Sequence, residues 1–196
     1  VAQTVKRGNL TIGRADLYVS PAGTDDPITI DEDPGAEWRG AGYTDSPATA
    51  TITSEHAEAR PQQTTVTVRR VRTSLAGTVT VALAERSLDN LKLALSGTAT
   101  VTATEAAVDL PASERLELAH NGQLEEMSLL IDAPQGGPGS SPRRVYMPLV
   151  VVTSDLELSQ DRDEFGNIEV TFEMLDDGAG SLFTVTDKTG DALPPA

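Results

Sequence analysis

Hydrophobic and polar positions alternate along much of this chain, and the pattern is densest between Gln63 and Gly97. Val66 and Val68 alternate with Thr65, Thr67 and Arg69, which predicts a half-buried strand. The run that follows sets Leu75, Val79, Val81 and Leu83 on one face against Thr78, Thr80 and Ala84 on the other. The period then changes. Leu88, Leu91 and Leu95 recur at helical spacing and predict one apolar stripe. Ser87 stands where an N-cap hydroxyl accepts from the first turn, and Asp89 adds a charge that favours the positive end of the helix. Gly97 is the expected left-handed stop. The unit reads strand–strand–helix, and its stripe needs a sheet to cover.

The flanking segments are strands and turns. Asn9 to Ser20 predicts a strand that ends at Pro21-Ala22-Gly23, followed by a turn-rich acidic segment and Trp38, whose size suits it to anchor a loop. A short strand is expected near Ala48 to Thr53, and residues 40–62 as a whole read as a projecting loop or loose hairpin. Thr98 to Thr104 is a weak strand, and Ala106 to Gly122 is ambiguous between strand and helix, with a break at Pro111. Met127 to Ile131 reads as a strand, and Pro134 to Pro142 as a glycine-rich loop tip. Arg143 to Thr153 is apolar on both faces and is expected at the centre of the fold, with Leu156 and Leu158 continuing it opposite Asp155 and Glu157. After a turn at Gln160 to Asn167, Ile168, Val170, Phe172 and Met174 alternate with Glu169, Thr171 and Glu173, the clearest strand of the chain. Leu182 to Val185 adds a last short one.

Many strands and one helix, at about 87–96, predict a mainly β fold: sandwich or barrel-like sheets with the helix packed on them and long loops. The 196 residues fit one domain, with a C-terminal tail from about 187 to 196 that is mobile unless a neighbour holds it.

The central unit and the strand near the C-terminus, together with Leu17-Tyr18-Val19-Ser20-Pro21-Ala22-Gly23-Thr24 and Trp38-Arg39-Gly40-Ala41-Gly42-Tyr43-Thr44, resemble the major tail (tail tube) proteins of long-tailed, siphovirus-type bacteriophages. The likeness is a pattern of elements covering most of the chain, and it contains no chemical motif. It implies a structural subunit of the virion, made in the host bacterial cytoplasm. Such subunits form hexameric rings that stack into a tube through which double-stranded DNA leaves the capsid. It also implies tape measure and tail terminator or tip proteins as partners.

Composition sharpens this picture in two places. The net charge of −15 makes a surface that repels nucleic acid, since affinity for DNA comes from neutralising phosphates. The absence of cysteine excludes disulfides and thiolate metal sites, and no apolar run reaches membrane-spanning length. Chemical motifs are missing: there is no phosphate-binding loop, no HExxH and no GxSxG, and no cofactor is expected. Asp161-Arg162-Asp163-Glu164-Phe165-Gly166 begins like a calcium loop, but position 5 is Phe165 and position 12 is Phe172, so a solvated acidic turn is the better reading. His56 and His120 lie in separate polar segments and read as surface histidines.

Two sets of charges remain as candidate sites. Because the apolar residues around them must go to the core, Glu157, Glu169 and Glu173 face outward, toward lumen, exterior or neighbour, and are the candidates to line the lumen. Arg69, Arg70 and Arg72 form the basic cluster of an acidic chain, with Arg70 and Arg72 sharing one face. They read either as a solvated strand edge or as charge partners for an acidic neighbouring subunit. The leading expectation is therefore a non-enzymatic tube subunit. A secretion-system tube protein of similar ring fold and a monomeric β-sandwich binding or decoration module are the alternatives.

Overall fold

The structure is a computed structural model that describes residues 15–27, 30, 33–59, 69–96, 99–105, 111–118, 123–133, 143–157 and 166–187. It is mainly β with one helix among the described residues: β1 Asp16–Pro21, β2 Arg39–Gly40, β3 Thr49–Ala59, β4 Arg69–Leu83, α1 Leu88–Ala94, β5 Ala99–Thr104, β6 Ser113–Leu118, β7 Met127–Ala133, β8 Arg143–Val152, β9 Ile168–Met174 and β10 Thr184–Asp187. Eight strands form one antiparallel sheet in the order β2-β1-β7-β8-β9-β4-β3, with β10 paired to β8; β5 and β6 make a separate two-stranded sheet.

The inward face of the large sheet carries the core. Leu17 and Val19, Met127, Leu129 and Ile131, Met147, Val150 and Val152, the four apolar residues of β9, and Val79, Val81 and Leu83 join one cluster. The strict alternation of β9 is the cause: its apolar positions are buried while Glu169 and Glu173 stay exposed. β8 lies between β7 on one side and β9 and β10 on the other, the interior place that its two apolar faces require.

Helix α1 begins as its cap dictates, with Ser87 Oγ accepting from the Asn90 amide at 3.2 Å. Its buried side, however, is Asn90, Leu93 and Ala94, whereas Leu88, Leu91 and Leu95 are only half-buried. The leucine stripe straddles the edge of the contact because Asn90 is drawn inward by hydrogen bonds. Its amide donates to the carbonyls of Ala41 (2.8 Å) and Glu85 (3.1 Å), and its Oδ1 accepts from Arg39 at 3.1 Å. That fixes the helix to the strap after β2, whose Thr44 bridges to Leu83 of β4. The left-handed residue at the helix end is Ser96, at φ +55°.

Several expectations are corrected. The two strand-like runs of the central unit are, from Arg69 onward, a single strand of 15 residues. β3 continues to Ala59 through the polar segment expected beyond Thr53. β6 resolves the ambiguous stretch as a strand after Pro111, and the last strand is Thr184–Asp187. β8 stops at Val152, so Asp155 and Glu157 lie in irregular chain that Ser154 ties to β9 by accepting from the Thr171 amide at 3.1 Å. The expectations for Asn9 to Arg14, Val66, Val68, Gly97, His120, the loop at 134–142, Leu158, residues 161–165 and the tail after Asp187 lie outside the described residues.

Candidate functional site: an arm, a threonine face and an acidic recess

β9 pairs only with the second half of β4, from Gly77 to Leu83. The first half, Arg69 to Ala76, pairs with β3 alone. This leaves a two-stranded arm that extends roughly 25 Å past the sheet at 3.3 Å per residue. The side chains of residues 69–76, and of residues 51–58 opposite, are exposed throughout. Gly77 sits at the junction because a Cβ there would overlap the Met174 sulfur and press on Ile52.

The register fixes what each side of the arm shows. A bulge at Thr73 separates the pairs Glu55–Ser74 and His56–Arg72. Ile52, Ser54, His56 and Glu58 therefore share one face with Leu75, Arg72 and Arg70, while Arg69 and Val71 lie on the opposite face. Ile52 and Leu75 are each 42% exposed. Arg70 forms an ion pair with Glu58 across the arm. The three arginines are thus brought together on the arm, with Arg70 and Arg72 on a common face as expected.

The outward face of the sheet beside the arm is rich in threonine. Thr51 and Thr78 lie in register with Glu173, and Thr49 and Thr80 with Thr171, whose hydroxyl is 3.3 Å from that of Thr80. Glu173 stands inside this face. Glu169 lies at its end, where it joins Glu157, Asp155, Ser154 and Asn167 in lining an open recess of about 410 Å³. The three candidate carboxylates therefore divide into one on the face and two at its rim. Among the described residues none of them takes part in an ion pair.

Sequence reasoning missed a second polar centre on the outward side of β1, β7 and β8. Arg144, 1% exposed, pairs with Asp132 at 2.6 Å and donates to the Pro27 carbonyl at 3.1 Å. The Tyr146 hydroxyl donates to the Thr24 carbonyl at 2.7 Å, and the Tyr146 ring meets Trp38 edge-on at 6.1 Å. Trp38 is buried, the loop anchor that its size suggested. Burial pushes the Tyr146 hydroxyl up from its ordinary pKa. Burial likewise raises the Asp26 carboxyl, against the pull of Arg144. The centre holds Thr24, Pro27 and Trp38 onto the sheet. Its one signal in the sequence is the double arginine at the start of an otherwise apolar strand.

Among the described residues no group of carboxylates and histidines has metal-holding geometry, and no helix is long and apolar enough to cross a membrane. What the surface offers instead is strand edges, an arm and separated charges, the equipment of a β-sheet assembly subunit. The family model for the phage tail tube protein matches residues 6–194, and the chain belongs to that family. Its role is accordingly that of a structural component of the phage tail. No curated protein matches the chain.

Proposed function

We propose that copies of this chain form hexameric rings that stack into the tail tube, and that the tube is the conduit for double-stranded DNA during ejection. The observation that carries the reading is the outer edge of β3. It is an 11-residue edge strand without proline or lysine, at the end of the sheet order. Such an edge is a template for pairing with another chain, and a closed ring of subunits consumes it. Membership of the tail tube family agrees with this use.

In this reading the threonine face lines the lumen, with Glu173 on the wall and Glu157 and Glu169 at its rim. Hydroxyls and carboxylates give DNA no cation to hold, so it passes without specific binding. The subunit has no catalytic task and needs no cofactor. Its partners are other copies of itself along the tube and the tape measure, terminator and tip proteins within it and at its ends. The tube is built in the host cytoplasm and becomes part of the virion.

Electron microscopy and sedimentation of the purified chain test the assembly: rings or tubes are expected, and a persistent monomer rejects it. Glu173→Lys tests the lumen. Its tubes should assemble and then retain DNA, more strongly at low salt. Assembled mutant tubes with normal DNA release would put this face elsewhere.

A further inference from the structure

β4, the longest of the described strands, has opposite charge at its two ends. At its start, Arg69, Arg70 and Arg72 are exposed on the arm. At its finish, Leu83 pairs with Ile168 beside the recess that holds Asp155, Glu157 and Glu169. Fourteen steps of extended chain put roughly 45 Å between these ends. One continuous strand separates them, so a single molecule cannot bring them together.

Copies of a chain with net charge −15 repel one another at long range. Setting the basic surface of one copy against an acidic surface of the next relieves that repulsion. We infer that the arm face bearing Arg72 and Arg70 docks into the Asp155–Glu157–Glu169 recess of a second copy, stacked head to tail along the direction of β4. The inference rests on the self-assembly reading and adds to it the two surfaces that meet.

The chemistry of the arm face fits that occupant. Ile52 and Leu75, half-exposed on the same face as Arg72, supply apolar area that the contact removes from water. A guanidinium presents a planar fork of donors, which carboxylates accept in pairs. Among the described residues the recess lining contains three carboxylates and no cation. Because the two surfaces differ, the contact is heterologous, and repeated copies all point the same way.

Charge reversal tests the contact, with the critical concentration for polymerisation as the readout. Arg72→Glu and Glu157→Arg should each raise it about tenfold or more, the scale of a close charge pair across an interface. The double variant should return toward the parent value. Both sites are exposed, so thermal melting of the dissociated variants should match the parent. Single variants that polymerise like the parent, or a double variant no better than the worse single, overturn the contact while leaving ring formation intact. A parent chain that never assembles overturns the self-assembly reading, and this contact with it.

Discussion

The two halves of β4 share one backbone and meet different surroundings. From Gly77 to Leu83 the strand pairs with β9, and with β3 as far as Thr80, and its alternate side chains are buried. From Arg69 to Ala76 it has β3 alone, and every side chain is exposed. The first half, with arginine on both sides, owes its extended form to pairing. The second owes it to pairing and to a core. Alternation is thus a record of one-sided burial rather than of strand conformation.

The largest effect that separates the two halves is expected in the body. Phe172 is fully buried opposite Val79, so Phe172→Ala should cost about 3–5 kcal/mol, seen as a fall in the denaturant midpoint at unchanged slope. A shift below 1 kcal/mol would mean that the sheet collapses around the gap. At the junction, Gly77→Val drives a side chain into Met174 and Ile52 and should cost about 1–3 kcal/mol. If stability is unchanged, Met174 yields and the junction is softer than its packing indicates. Ser87→Ala removes the cap of α1 and should cost about 1 kcal/mol, a value that thermal unfolding can resolve.

The smallest effect on stability belongs to the arm. Leu75→Ser should change the free chain by no more than about 0.5 kcal/mol, because the side chain is already nearly half in water and lies outside the core. The same variant should weaken polymerisation in sedimentation. A stability loss comparable to that of Phe172→Ala would show the arm packed against the body before assembly, and the contrast between the halves would disappear.

This difference explains which parts were legible beforehand. β9 and the buried half of β4 could be read from alternation, and β8 from its two apolar faces, because each pattern is the trace of a buried surface. The cap at Ser87 was legible because one hydroxyl does local work. The polar part of β3 was not, since a ribbon wet on both faces needs no apolar period. The stripe on α1 was misplaced because Asn90, polar by composition, is held inside by three hydrogen bonds. Arg144 escaped notice for a related reason: its burial depends on Asp132 and Pro27, remote in sequence. Of the candidate charges, the outward direction of Glu169 and Glu173 followed from alternation. The separation of Glu173 from the rim pair did not, because it depends on where β8 ends.

The bulge at Thr73 acts as a phase shift in the arm. In an uninterrupted strand, the side of β4 that begins with Leu75 would continue through Thr73 and Val71, carrying the hydrophobic lining of the body out along the ribbon. One extra residue advances the count by a step. Beyond it, that side passes to Arg72 and Arg70, and Val71 goes to the other. The apolar side chains of this side thereby stop at Leu75 and give way to charge. Arm length consequently comes in units of two. Gaining or losing one residue on either strand would exchange the two faces and present the wrong side to whatever the arm meets.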